Sequence, residues 1–227
     1  MTKKIIIAID GPAGSGKTSC AKIVAEKLNY IYIDTGAMYR AVTLAWLMSN
    51  TELTPKNLRA IVDNINIQLE PSIDGQVTKL NNKDVSQEIR SLDVPKYVSP
   101  VSADPYVREK MVSLQRKLAI NRGCVMDGRD IGTDVFPDAE LKLYLVADLR
   151  TRAKRRLAEI QAKEKTNLTI EDISRQIIER DKYDSSRAVS PLRKAEDAIE
   201  IDTSSMTLIE QSEKIYQMAL DTINKII

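Results

Sequence analysis

The residues best suited to phosphate chemistry form one continuous segment, Gly11-Pro12-Ala13-Gly14-Ser15-Gly16-Lys17-Thr18. It fits the pattern G-x4-G-K-[ST] and stands between a short apolar run and a helical pattern. Glycines let successive backbone N–H groups turn toward phosphate oxygens, and the N-terminus of the following helix adds the positive end of its dipole. Lys17 can reach the β- and γ-phosphates, and Thr18 can offer its hydroxyl to Mg²⁺. We therefore expect all eight residues to bind a nucleoside triphosphate.

The lack of histidine narrows the reactions that this segment can serve. None of the 227 residues is His, which excludes a His general base, a His–Cys zinc site and a Ser-His-Asp triad. Phosphoryl transfer is unaffected, because there the protein mainly positions the reactants and neutralises their charge. The N-K-x-D segment with which a GTPase would normally recognise its base is also missing. A small-molecule kinase therefore fits the pattern better than a GTPase or a longer motor ATPase.

Arginines accompany acidic residues in three further segments. Residues 34–40 follow the second predicted strand, residues 127–130 follow the third, and Arg180, Asp184 and Arg187 share a predicted helix. A guanidinium group keeps its charge and binds two phosphate oxygens through its planar fork, so these segments predict an anion-binding site. Structural roles are also possible, since Asp184 can form a salt-bridge ladder with its two arginines. The acid that opens residues 127–130 can likewise cap the next turn.

A second basic cluster lies between residues 150 and 156, where five of seven residues are basic. On a helix, Arg152 and Arg156 fall on one face, with Arg155 beside them. Such a run is often only a solvated helix face. Because it follows a buried strand and faces the phosphate loop, we expect it to act on the bound triphosphate. Its basic residues are Arg150, Arg152, Lys154, Arg155 and Arg156.

Composition indicates a globular domain in a reducing compartment. Hydrophobic residues make up 43% of the chain, and only 8 Gly and 8 Pro are scattered along it, which excludes disorder and collagen-like repeats. No wholly apolar run exceeds five residues, as in Ile5–Ile9, which is too short for a membrane helix or a signal peptide. The two cysteines, Cys20 and Cys124, form no metal-type pair. We expect a cytoplasmic protein with no membrane partner.

The elements that must position these motifs alternate between strand and helix over the first 50 residues. Lys3–Ile9 is a β-branched apolar run typical of a strand buried on both faces, and Tyr30–Ile33 is a second short strand. Apolar residues recur at helical spacing in Ser15–Leu28 and Ala37–Met48. This alternation predicts a parallel sheet.

A change of period then marks an insertion. Apolar and polar residues alternate over positions 64–69, and Asp74-Gly75 and Asn81-Asn82 are turn signals on either side of Val77–Leu80. We predict a small antiparallel sheet inserted into a doubly wound α/β core. Asp104-Pro105 is typical of a helix start. The remaining predicted strands are Cys124–Met126, Leu141–Val146 and Ala198–Ile201, and the remaining helices are Leu149–Lys163, Ile170–Lys182 and Leu208–Ile227.

Together these segments resemble the bacterial-type cytidylate kinases, P-loop nucleoside monophosphate kinases that move the γ-phosphate of ATP onto CMP or dCMP. D-T-G-A-M-Y-R at 34–40 combined with D-G-R-D-x-G-T at 127–133 is far narrower than the phosphate loop, which many enzymes share. Ser86-Gln87-Glu88-Ile89-Arg90 and Val107-Arg108-Glu109 extend the likeness over nearly the whole chain. It implies one kinase domain, 1–227, with a five-stranded parallel sheet, an NMP-binding subdomain at 62–100 and a helical lid at 150–187. It also implies a monomer.

The resemblance further implies roles at the matching positions on the acceptor side. The CMP phosphate would be held by Arg40, Arg129 and Arg187. Cytosine would face Ser99, Arg108 and Asp130, with Thr35 nearby, and the sugar hydroxyls would contact Arg180 and Asp184.

On the donor side, the resemblance implies that the lid brings Arg152, Arg155 and Arg156 onto ATP, with Arg155 as an ATP-binding residue. Asp127 would organise water around Mg²⁺, next to Thr18. The catalytic set would then be Lys17, Arg129, Arg152, Arg156 and Arg187.

Three competing interpretations stay open at this point. An AMP or UMP kinase would share the phosphate loop, although adenylate kinases usually lack the early insertion and carry another arginine signature. A nucleic-acid-binding P-loop protein would use residues 150–156, but the net charge is only +2 and no aromatic residues are interleaved with the basic run. We therefore expect no nucleic-acid partner. A regulatory ATPase would lose ATP slowly, with no acceleration by CMP.

Overall fold

The computed structural model of the chain describes residues 3–72, 75–91, 93–162 and 165–226. Within these ranges the chain alternates strands and helices, with two short helical turns at Glu88–Arg90 and Ile131–Val135. In chain order the elements are β1 (Ile6–Asp10), α1 (Lys17–Leu28), β2 (Ile31–Asp34), α2 (Thr35–Ser49), α3 (Pro55–Asn64), β3 (Ile67–Ser72), β4 (Gly75–Leu80), β5 (Lys83–Asp84), α4 (Val94–Ala103), α5 (Pro105–Leu118), β6 (Cys124–Asp127), β7 (Leu141–Val146), α6 (Leu149–Gln161), α7 (Ile170–Ser186), β8 (Ile199–Asp202) and α8 (Leu208–Ile226).

The main sheet has five parallel strands in the order β2-β6-β1-β7-β8. Central strand β1 is buried on both faces: Ile7 and Ile9, with Ile5 just before the strand, pack with α1 and α8, whereas Ile6 and Ala8 face the opposite layer. The chain leaves β1 toward β2 on one side and later adds β7 on the other. The carboxyl end of β1 is therefore the switch point at which doubly wound folds bind ligands. The predicted five-stranded parallel core is confirmed.

The small antiparallel sheet is also confirmed. Strands β3, β4 and β5 pair in that order, and β3 meets β4 from Ile67 opposite Leu80 to Ser72 opposite Gly75. Ile67 and Leu80 are buried in a second core that this sheet shares with α2, α3, α4 and α5. The predicted inserted segment 62–100 thus contains the end of α3, the small sheet and most of α4.

Helices α3 and α4 were missed by the sequence pattern. Helix α3 begins after Thr54, whose side chain accepts from the backbone N–H of Asn57, and it buries Leu58 and Val62. Helix α4 contains Pro100 and several β-branched residues, which disfavour a helix locally. It forms because Val98 and its apolar neighbours pack against α2 in the second core. Tertiary burial outweighs local propensity here.

Several predicted boundaries shift by a few residues for identifiable reasons. Helix α1 starts at Lys17 rather than Ser15, because Gly16 has a φ of 91° that the first turn cannot include. Helix α2 starts at Thr35, since Asp34 caps it, and α7 continues past Lys182 to Ser186. Asp74, Lys163 and Ile227, which entered the predictions, lie outside the described residues. Within those residues, no helix is long and apolar enough to cross a membrane.

Candidate active site

The phosphate loop lies at the carboxyl end of β1. Gly11 has a φ of 144°, and a Cβ at this position would collide with the backbone carbonyl of Leu145. Helix α1 then starts with no side-chain N-cap and no acidic residue in its first turn. By contrast, the N-cap side chains of α2, α3, α5, α6 and α7 all accept backbone N–H groups. The start of α1 therefore keeps its positive end for an anion.

Lys17 is folded back into the loop. Its Nζ donates to the carbonyl oxygen of Pro12 at 2.6 Å and to Ser15 Oγ at 3.2 Å, and the residue is 5% exposed. Burial lowers the pKa of Lys17, and the nearby guanidinium of Arg129 lowers it further. An anionic ligand in this loop would offset both effects.

Asp127 connects the phosphate loop to the next strand of the sheet. Thr18 Oγ1 donates to Asp127 Oδ2 at 2.8 Å, and the hydroxyl of Tyr32 donates to Asp127 Oδ1 at 2.8 Å. Burial raises the pKa of Asp127, and the nearby carboxylate of Asp34 adds to the shift. A hydroxyl beside a carboxylate is an oxygen donor set of the kind that Mg²⁺ prefers. The sequence motif at residues 11–18 identified Thr18. The contact of Tyr32 with Asp127 could be recognised only from the pairing of β2 with β6 in the structure.

A cleft of about 190 Å³ extends from the phosphate loop across the carboxyl end of the sheet. Cationic side chains outnumber acidic ones along its walls. This excess suits an anionic ligand. The cations are Lys17, Arg40, Arg108, Arg129, Arg156, Arg180 and Arg187, and the acids are Asp34, Asp127, Asp130, Glu159 and Asp184.

Asp184 is the centre of the arginine cluster. Arg129 Nε donates to Asp184 Oδ2 at 3.0 Å, while Arg180 Nε and Arg187 Nη1 each lie 4.0 Å from this carboxylate. Burial lowers the pKa of Arg180 to about 10, and the neighbouring charge of Arg129 contributes. One buried carboxylate thus faces three guanidinium groups. A positive excess of this kind is relieved when an anion binds.

Buried guanidinium donors in the cleft lack hydrogen-bond partners. Among the described residues that line it, Nε of Arg40, Arg108 and Arg180 and Nη2 of Arg187 are buried without one. A buried polar group without a partner is costly, so these atoms are candidates to bind phosphate or hydroxyl oxygens of a ligand.

Arg108 and Asp130 form a buried ion pair farther along the cleft. Arg108 Nη1 also donates to the carbonyl of Ser102 at 3.1 Å, and Arg187 Nη2 lies 3.7 Å from Asp130 Oδ1. Ser99 does not line the cleft: it is half-buried, and its carbonyl accepts from Ser102 Oγ. The other predicted acceptor-side residues, Thr35, Arg40, Arg108, Arg129, Asp130, Arg180, Asp184 and Arg187, all line it.

The three predicted lid arginines have different surroundings. Arg156 lines the cleft, where its Nη1 donates to Glu159 at 3.0 Å. Arg152 pairs with Asp181 and donates to the carbonyl of Ala13 at 3.2 Å, while the N–H of Ala13 donates to Asp181 Oδ1 at 3.2 Å. The phosphate loop is therefore already held by α6 and α7 through one basic and one acidic side chain.

Arg155 points to the loop that follows β8. Its Nη2 donates to the carbonyl of Thr203 at 2.6 Å and to that of Met206 at 3.3 Å, and Nη1 donates to Thr203 Oγ1 at 3.0 Å. Thr203 Oγ1 in turn donates to the carbonyl of Ser15 at 3.2 Å. Arg155 thus reaches the phosphate loop through Thr203 and does not line the cleft.

Arg90 was quoted in a motif but given no role from the sequence. Its Nη2 lies 3.4 Å from Asp34 Oδ2, the same oxygen to which Arg40 Nη2 donates at 2.9 Å. Burial alone would raise the pKa of Asp34, but the two arginines outweigh it, and the pKa of Asp34 is lowered. Asp34 therefore stays ionised and holds both arginines beside the cleft.

Comparison with known proteins adds an independent result. The sequence model of the family described as cytidylate kinase matches residues 7–221. Proteins named cytidylate kinase are 49% identical in Chloroherpeton thalassium, covering 100% of this chain and 97% of that protein, and 49% identical in Bacillus subtilis, covering 96% and 97%. Among solved structures, a shikimate kinase from Acinetobacter baumannii in complex with shikimate has a TM-score of 0.50 at 15% identity, covering 97% of this chain and 95% of that one. That structural likeness concerns the fold.

Proposed function

The chain belongs to the cytidylate kinase family, and we propose that it transfers the γ-phosphate of ATP to CMP or dCMP, giving ADP and CDP or dCDP. One observation carries the proposal: the phosphate loop and the arginine cluster open into the same cleft. A triphosphate and a monophosphate would therefore meet end to end, in the arrangement that direct phosphoryl transfer requires.

The donor half of the mechanism uses Lys17 and backbone amides. The backbone N–H groups of residues 11–18 other than Pro12, together with the start of α1, would bind the β- and γ-phosphates, and Lys17 would leave its internal acceptors, Pro12 and Ser15, for phosphate oxygens. Its position supports this role, since its ammonium group is buried at the loop's centre. The positive charge would then stabilise the negative charge that develops on the leaving ADP.

The acceptor half uses the arginine cluster. Arg40, Arg129 and Arg187 would hold the CMP phosphate, and Arg180 and Asp184 would contact the sugar. The donors without partners on Arg40, Arg180 and Arg187 support this assignment. An oxygen of the CMP phosphate would attack the γ-phosphorus as the bond to ADP breaks. The arginines would offset the repulsion between the two anions.

Arg108 and Asp130 would recognise cytosine, with Thr35 nearby. A guanidinium donates and a carboxylate accepts, which matches a ring that offers N3 and O2 as acceptors and an exocyclic amine as a donor. Ser99 is half-buried and off the cleft wall, so its proposed contact requires a movement of α4.

The residues around Asp127 fit a magnesium ion. Thr18 would coordinate Mg²⁺ and Asp127 would bind its water ligands, because the two oxygens already lie side by side. When bound with ATP, the ion neutralises phosphate charge.

Arg152, Arg155 and Arg156 would complete the donor site as the lid closes and excludes water. We further propose that the protein is a monomer and that it is cytoplasmic. The free, buried thiols of Cys20 and Cys124 are in keeping with a reducing compartment.

A panel of monophosphates tests the proposal. With ATP and Mg²⁺, kcat/KM should be highest for CMP and dCMP, lower for UMP, and lower still for AMP and GMP, because cytosine alone presents both acceptors and the amine donor in this arrangement. Equal values for AMP and CMP would contradict the assigned base recognition. Slow ATP loss that CMP does not accelerate would favour a regulatory ATPase, and tight RNA binding without turnover would favour a nucleic-acid-binding protein.

A further inference from the structure

The short helical turn Ile131–Val135 directly follows two residues of the proposed acceptor site, Arg129 and Asp130. The first N–H groups of any helical turn need an acceptor, and an aspartate at the preceding position ordinarily supplies it. Asp130 holds that position, but its side chain does not cap the turn. Its carboxylate is instead paired with Arg108 and lies 3.7 Å from Arg187.

Asp10, which is 121 residues away in sequence from Ile131, caps the turn in its place. Asp10 Oδ1 accepts from the N–H of Ile131 at 2.9 Å, and Oδ2 accepts from the N–H of Gly132 at 2.7 Å. The residue is 4% exposed and ends strand β1, immediately before the phosphate loop. The carboxylate thus spans the boundary between the donor and acceptor sides.

Other charged groups near Asp10 have other partners. Lys17 bonds to Pro12 and Ser15, while Lys142 bonds to Pro137 and Asp197. Tyr144 is the strand neighbour of Asp10 on β7, and Asp130 is an acidic neighbour. Among the described residues, the hydrogen bonds to Asp10 come from the two amides of the turn.

We propose that Asp10 is a positioning residue for the acceptor site: by capping the turn in place of Asp130, it leaves the Asp130 carboxylate free to pair with Arg108 and to face the base. This inference rests on the proposed recognition of cytosine by Arg108 and Asp130. The inference makes that recognition depend on Asp10, a residue of β1 that lies outside the proposed binding sites. Both oxygens of the carboxylate are needed, since each accepts one amide.

The variant Asp10→Asn tests this role with almost no change in volume. An amide side chain presents one acceptor and one donor, so one of the two turn N–H groups loses its partner. We expect the KM for CMP to rise about tenfold and the preference for CMP over UMP to fall, while the KM for ATP stays within about twofold of the wild-type value. Asp138→Asn is the matched control, because Asp138 lies shortly after the same turn, is exposed and faces Arg122 at 3.8 Å. It should behave as wild type.

Two kinetic results would overturn the proposal. One is an Asp10→Asn enzyme with unchanged KM for CMP and unchanged base preference. The other is a parallel rise in KM for both substrates with unchanged base preference, which would indicate a general structural role.

Nuclear magnetic resonance of the wild-type protein provides a test that depends neither on activity nor on the folding of the variant. The amide protons of Ile131 and Gly132 should resonate downfield and shift together over one titration as Asp10 is protonated. Lys17, Asp130, Lys142 and Tyr144 are the other ionisable groups around it. If the chemical shifts of these two amide protons do not change with pH, the proposed capping by Asp10 is contradicted. If the cap is observed but CMP is not phosphorylated, the proposed function fails while the contact stands.

Discussion

The donor and acceptor sides of the cleft are built in two different ways for the proposed binding of phosphate. The donor side is a continuous segment of eight residues that relies on backbone N–H groups, a helix terminus and one lysine. The acceptor side gathers arginines from α2, α5, the segment after β6 and the end of α7, and it balances them with buried aspartates. Backbone recognition requires a local sequence pattern, whereas side-chain recognition can draw on any element that the fold brings near.

This difference has a consequence for charge. Partial charges on amides need no counter-ion, so the start of α1 carries no acidic residue in its first turn. Full charges on buried arginines do need one, and Asp34, Asp130 and Asp184 lie within ion-pair distance of the arginines. The acceptor side is therefore a network in which removal of one member disturbs the others.

Loss of the single donor-side lysine should have the largest effect. In Lys17→Met the phosphates keep their amide contacts but lose the buried ammonium charge of the phosphate loop, so we expect kcat/KM to fall about 10³-fold. The loss should be equal for CMP and dCMP, because both receive the same phosphate. Steady-state kinetics with each acceptor measures it. Lys27→Met is the control, since Lys27 lies on the same helix and pairs at the surface with Glu213. A loss below tenfold would remove Lys17 from the reaction.

Asp10 lies where the donor and acceptor sides meet, and its titration should change the free energy of unfolding. Burial raises the pKa of Asp10 from 3.8 to about 7, so between these values the folded protein holds a proton that the unfolded chain has lost. Stability contributed by this group therefore falls as pH rises and reaches its minimum above pH 7. Between pH 5 and 8 the expected change is a few kcal/mol.

Urea denaturation of wild type and Asp10→Asn at several pH values isolates this change, because other groups titrate in both proteins. The free energy of unfolding of wild type, relative to the variant, should decrease from pH 5 to 8. Parallel curves would show that the carboxyl group keeps an ordinary pKa in the folded state.

An acceptor-side arginine should show a smaller effect than Lys17, because the cluster shares its charge among several members. We expect Arg129→Ala to lower kcat/KM for CMP at least tenfold, as one charge-assisted phosphate contact is lost and Asp184 loses its 3.0 Å partner. Arg175→Ala is the matched control, since this arginine is exposed and pairs with Asp172 within α7. A value for Arg129→Ala equal to that of the control would exclude it from the site.

The same contrast explains what the sequence could reveal. The phosphate loop, the parallel core and the small antiparallel sheet all follow from local patterns: one continuous motif, buried β-branched runs and a change of period. The arginines that are dispersed along the chain were identified only through the resemblance to cytidylate kinases, a family to which the chain belongs. No spacing rule connects Arg40, Arg108 and Arg187.

Contacts that cross the fold were not visible in the sequence. Tyr32 meets Asp127 because β2 pairs with β6, and Asp181 reaches Ala13 because α7 packs near the phosphate loop. Helix α4 was missed for the related reason that its Pro100 disfavours a helix locally, while packing against α2 stabilises it. In each case the deciding interaction joins residues that are far apart in the chain.

The smallest expected effect is a local slowing of amide exchange, which should accompany closure of the lid over the donor and acceptor sides. Helix α6 carries Arg152, already held between Asp181 and Ala13, and Arg156, whose surface partner is Glu159. Bound phosphates compete for these guanidinium groups, so α6 should become more protected from exchange when ATP and CMP are both present, by about tenfold. Hydrogen–deuterium exchange with mass spectrometry measures this over residues 149–161, with α3, none of whose residues lines the cleft, as an internal reference. Since the donor amides are preformed and the acceptor arginines are distributed, ATP alone should protect α6 less than the pair does. Equal exchange with and without the two nucleotides would mean that α6 does not close, and that the existing contacts of Arg152 already represent the working state.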